Sequence, residues 1–78
     1  MVRVKNILKT SNEVSGDAYV EDCSTPIKIC IDSAGEVHAD QLPEGYEHCT
    51  KHLQYAIGIL QKARKMDDPP TEQTIMWY

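Results

Sequence analysis

No apolar run in this chain exceeds a few residues, far short of the roughly 20 that cross a bilayer. A transmembrane segment is therefore not expected. There is no Asn-x-Ser/Thr acceptor, the chain opens without a charged-then-apolar leader, and the cysteines, Cys23, Cys30 and Cys49, are odd in number. A disulfide-framed secreted domain does not fit that pattern, and the expected setting is the reducing cytoplasm. Also missing are a glycine-rich phosphate loop, a nucleophile elbow and a CxxC pair. The chain is read as non-enzymatic, with no catalytic residues and no cofactor. Basic residues are scarce, 8 against 12 acids for a net charge of −4, which argues against direct nucleic-acid binding because affinity there rests on neutralising phosphates.

The 78 residues suffice for one small domain spanning 1–78, and a chain of that size buries only roughly 60% of its unfolded surface. Charge is unevenly spread. Residues 13–47 hold nine acids (Glu13, Asp17, Glu21, Asp22, Asp32, Glu36, Asp40, Glu44 and Glu47) against the single base Lys28, a local balance of −8. One region of the molecule should be distinctly negative.

Val2 and Val4 alternate with Arg3 and Lys5, the period-2 pattern of a half-buried strand, and Asn6 breaks it at a bulge or bend. Lys9–Asp17 is rich in turn formers and reads as a loop returning through Ala18, Tyr19 and Val20 as a second strand. Next, "PIKICI" sets Ile27, Ile29 and Ile31 on one face and Lys28 and Cys30 on the other. "DSAG" supplies a turn, and "EVHA" resumes the alternation. A loop of Ser33 to Gly35 opposes Ile31 to Val37, Ile29 to Ala39, Cys30 to His38 and Lys28 to Asp40.

After "DQLPEGY" the period becomes helical, from about Glu47 to about Met66, with acids near its start and Lys62, Arg64 and Lys65 near its end. Leu53, Ala56, Ile57, Leu60 and Ala63 form with Cys49 the stripe that should meet the isoleucines. Tyr55, Ile59 and Met66 lie on a flank that widens the apolar arc to roughly 200°, twice what a one-sided helix needs. That flank is read as covered either by the C-terminal segment or by self-association of two copies. Gly58, mid-helix, reads as a tolerated glycine on a wet face, with close backbone approach the sharper alternative. "DDPP" ends the helix, and "TEQTIMWY" closes the chain as a last strand. The fold class expected is α+β: a two-layer sandwich of a four- to five-stranded antiparallel sheet with one long helix on one face, in the order β-β-β-β-α-β.

The stretch that most invites chemistry is "EHCTKH", with His48 four residues before His52 and Cys49 between them. On a helix the two imidazoles share a face, as two metal ligands would. Two ligands make no site, and Cys30 and His38, which might complete the set, belong to the opposite face of the sheet. No metal is expected, and Cys49 reads as a small core residue. The carboxylates instead suggest a surface. The favoured function is a small acidic protein-binding module, its partner a protein with a basic surface. Asp32, Glu36, His38 and Asp40 of the open sheet face and the aromatic pair Trp77 and Tyr78 are the contact candidates. Two other readings stay open: a nucleic-acid-mimicking inhibitor of a phosphate-binding protein, of phage or mobile-element type, and a metal- or thiol-dependent protein using His48, Cys49 and His52.

Overall fold

The computed structural model describes residues 1–76. It is an α+β arrangement, one antiparallel sheet with one helix packed on it. The strands are β1 (Val2–Lys9), β2 (Val14–Val20), β3 (Ile27–Ile31), β4 (Val37–Ala39) and β5 (Gln73–Ile75), and the helix is α1 (Thr50–Arg64). In space the strands run β4-β3-β2-β1-β5. The closing segment therefore joins the sheet beside β1, with Val2 opposite Ile75. Trp77 and Tyr78, expected to extend it, lie outside the described residues.

Alternation decides which residues go inside. Val2 and Val4 of β1, Val14, Ala18 and Val20 of β2, and the three isoleucines of β3 are all buried. The β3–β4 register is the expected one, Ile31 opposite Val37, Cys30 opposite His38 and Ile29 opposite Ala39, because Gly35 takes φ 86°, a conformation that costs glycine nothing. Asn6 takes φ 55° and the β1–β2 register shifts between Lys5 and Leu8. This is the bulge its place in the pattern predicts, and it returns Ile7 to the core.

Two segments depart from expectation. The loop read across Lys9–Asp17 is shorter, since β2 already begins at Val14. Val14 pairs Lys9 and Ile31 while Gly16 pairs Ile29, so flanking strands recruit residues whose local chemistry favours a turn. Gly16 suits the close packing there: a Cβ would stand 3.0 Å from Val4 Cγ1 and 3.2 Å from Leu60 Cδ2. The helix starts at Thr50, not near Glu47. Before it, Tyr46 N bonds Pro43 O (2.9 Å) and Cys49 N bonds Tyr46 O (2.9 Å), with Gly45 at φ 88°. The chain turns twice before Leu53 N reaches Cys49 O at 3.1 Å.

The helix also sits rotated from the expected stripe. Ala56, Ile59, Leu60 and Ala63 are buried, and Leu53 and Ile57 lie at the margin. Two of its tethers fall on the His52–Ile59–Met66 flank: His52 Nε2 bonds Glu21 Oε1, and Lys9 Nζ donates to Met66 O. They draw that flank onto the sheet. Ile59 is 3% exposed, which corrects its assignment to a surface for self-association. The chain's own sheet buries it.

Candidate functional site

The helix covers one side of the sheet, and the register sets what the other side carries. Arg3 stands opposite Tyr19. Next along the strands comes Lys5, opposite Asp17, itself opposite Lys28, with Asp40 beyond, where Asp40 N bonds Lys28 O at 3.0 Å. The following row is Leu8, Ser15, Cys30 and His38. Asp32 and Glu36 close the face at the β3–β4 turn.

This face is zoned, where the β3–β4 residues alone suggested a mostly acidic surface. Near β1 it is cationic: the Arg3 guanidinium carbon lies 5.9 Å from the Tyr19 ring centroid and the Lys5 ammonium 5.7 Å from it, within the range of cation–π attraction. In the middle, charges cancel. Asp17 accepts from Asn6 Nδ2 at 2.9 Å and from Lys28 Nζ at 3.4 Å, so Lys28 leans to β2 instead of meeting the Asp40 carboxylate. Sequence reasoning missed Arg3, Lys5 and Tyr19 as a cluster. The β1 alternation already turned both cations outward, but only the β1–β2 register places a tyrosine between them.

Around the β3–β4 turn the acids dominate. Asp32 Oδ1 accepts from Ala34 N (2.9 Å) and Glu36 N (3.0 Å), and Oδ2 accepts from His38 Nε2 at 3.0 Å. The His38 bond is the main reason the Asp32 carboxyl lies below the usual carboxylate range, and the same bond raises His38. Arg64 comes from the helix side, donating to Ser33 O at 3.1 Å. It supports the turn backbone and, among the described residues, forms no ion pair with a carboxylate. Among the described residues, no lysine or arginine forms an ion pair with Asp32, Glu36 or Asp40. Beside them a shallow groove of ≈ 450 Å³ runs past Ser15, Asp17, Lys28, Cys30, His38 and Asp40.

Ligand atoms of Asp32, Glu36 and His38 lie within 4.8 Å of one another, the one such group of metal-binding residue types among the described residues. The turn and its hydrogen bonds account for that convergence. "EHCTKH" does not converge. His48 precedes the helix, so the shared-face geometry fails, and its ring stacks on Tyr46 with centroids 6.5 Å apart. His52 turns the other way, to Glu21. Cys49 is buried, and burial is the main cause pushing its thiol pKa up; Cys30 is also raised, chiefly by donating to Glu13 Oε2 at 3.1 Å. Raised pKa values keep both as thiols, whereas nucleophilic chemistry needs the thiolate.

Elsewhere, Tyr55 (37% exposed) and Met66 (46%) are the exposed part of the helix flank. No helix among the described residues is long and apolar enough to cross a membrane. Comparison with protein-family models, with curated proteins and with solved structures yields no match.

Proposed function

We propose that this chain is a non-enzymatic protein-binding module that docks a basic surface of another protein on the β3–β4 end of its open sheet face. The observation carrying this reading is that Asp32, Glu36 and Asp40 stand on an uncovered face and, among the described residues, meet no lysine or arginine. Exposed acids that no internal lysine or arginine neutralises steer a basic surface toward them and fix its orientation. The rigid turn favours recognition too, because Asp32 is held by three hydrogen bonds and little ordering remains for binding to impose. Trp77 and Tyr78 are a second contact on this reading, since both residue types are enriched at interface hot spots. Three unpaired cysteines fit a reducing, cytoplasmic setting.

Reversing charge with Asp32→Lys, Glu36→Lys and Asp40→Lys together, and repeating capture from host lysate at low salt, tests the proposal. The wild-type partner should be lost. An unchanged set of captured proteins, from a variant with wild-type circular dichroism, would overturn the reading.

A further inference from the structure

The groove and the acids border an open sheet edge. β4 is the outermost strand on its side, and all three of its residues are exposed. Its pairing with β3 fixes which backbone groups are spoken for. Asp32 N bonds Glu36 O, Asp40 N bonds Lys28 O, and His38 pairs Cys30 between them. In an antiparallel ladder the N–H and C=O of one residue point to the same side and alternate along the strand. Glu36, His38 and Asp40 therefore turn their backbones toward β3, and Val37 and Ala39 turn theirs outward. Among the described residues neither Val37 nor Ala39 has a hydrogen-bond partner there.

We propose that this edge accepts an extended basic segment of the partner as an added antiparallel strand, paired to Val37 and Ala39 and flanked by Glu36 and Asp40. The inference rests on the open-face reading and deepens it by naming the segment's chemistry. Residues of an added strand that pair with Val37 and Ala39 share their side of the sheet, where Val37 is a 39%-exposed apolar side chain; these positions suit valine or isoleucine. Alternate residues project over the open face beside Glu36, His38 and Asp40, and these suit lysine or arginine. The segment is thus an alternating basic and β-branched stretch, bound by strand addition.

A second copy of this chain fits less well. Antiparallel pairing of two β4 strands that engages both outward residues of each copy sets Glu36 against Asp40 of the other copy, twice, and like charges directly opposite destabilise a sheet. Short charged edges of this kind keep sheets from pairing with themselves. The same charges welcome a strand of opposite sign.

The probe is a short alternating Lys–Val peptide carrying a fluorophore, titrated with the intact protein by fluorescence anisotropy. Two further peptides carry N-methyl groups, one on the valines and one on the lysines. Strand addition uses the valine N–H groups, so valine methylation should weaken binding by roughly tenfold or more, a loss of one or two hydrogen bonds' worth of affinity, while lysine methylation leaves it nearly unchanged. Glu36→Lys with Asp40→Lys should switch preference to a Glu–Val peptide. Equal binding of both methylated peptides would overturn strand addition and leave the acidic-face reading standing. Failure of the Lys–Val peptide to bind, while lysate capture stays charge-dependent, would also overturn strand addition alone. Loss of charge dependence in the capture experiment would remove the open-face reading as well.

Discussion

At the scale of single residues, the Asp32–His38 pair makes the surface pH-dependent. His38 is raised by its bond to Asp32, so its contribution is fully present below histidine's ordinary ~6.5 and is lost as pH rises through its folded value. Asp32 is lowered, chiefly by the same bond, so its contribution is present above the ordinary ~3.9 of aspartate and is lost as pH falls through its folded value. The pair is therefore strongest between those limits. In a proton NMR titration the His38 ring should titrate above ~6.5, and Asp32→Asn, which keeps an oxygen for the turn N–H groups, should return it toward that value. A basic partner should bind more tightly as pH rises through the His38 transition, since deprotonation removes the one positive charge the turn can acquire. Gly16 offers a stability test at the same scale. The close approaches to Val4 and Leu60 predict that Gly16→Ala overpacks the core and lowers unfolding free energy by about 1–3 kcal/mol in urea denaturation.

At the scale of elements, the strands were largely legible and the helix was legible in kind but not in placement. Period-2 alternation names the buried face of β1 and β3 without reference to anything distant, and the Asp32–Gly35 turn fixes the β3–β4 register from inside the hairpin. The start of α1 depends on two turns closed by Pro43 and Tyr46 carbonyls. No periodicity records these, and Glu47 is spent accepting from Gly45 N at 3.0 Å instead of entering the first helical turn. The phase of α1 depends on Glu21, Lys9 and Ser33, which lie far away in sequence. A hydrophobic stripe cannot report such tethers. Among the described residues nothing lies within 4 Å of where the Gly58 Cβ would be, as the simpler expectation has it. Gly58→Ala should then stabilise the helix by about 1 kcal/mol, raising the thermal midpoint by roughly 4–8 °C for a domain of this size. A fall in the midpoint would mean that the glycine serves a contact with another molecule.

At the scale of the whole molecule, the site was only half legible, because charge balance along a chain is not charge balance across a face. Residues 13–47 are strongly acidic in sequence, yet folding disperses them. Glu21 is drawn to the Met1 α-ammonium at 2.9 Å, Asp22 accepts from Tyr46 at 2.8 Å, and Asp17 is matched by Asn6 and Lys28. Asp32, Glu36 and Asp40, which no lysine or arginine among the described residues meets, cluster at the β3–β4 turn, and Arg3 and Lys5 bring positive charge to the same face beside Tyr19. Net charge and its local distribution therefore make different predictions. If overall charge drove partner binding, Arg3→Glu with Lys5→Glu, which makes the protein more acidic, would tighten a basic partner about as much as Glu36→Lys with Asp40→Lys weakens it. If the β3–β4 turn is the contact, the first pair should change affinity by less than about twofold, roughly 0.4 kcal/mol, while the second should weaken it tenfold or more. Raising salt from low to physiological levels should shrink the second effect, because screening within about 8 Å removes most of an exposed charge's reach. Equal and opposite effects from the two pairs, measured by calorimetric titration of a captured partner, would assign binding to the field of the whole molecule and not to the turn.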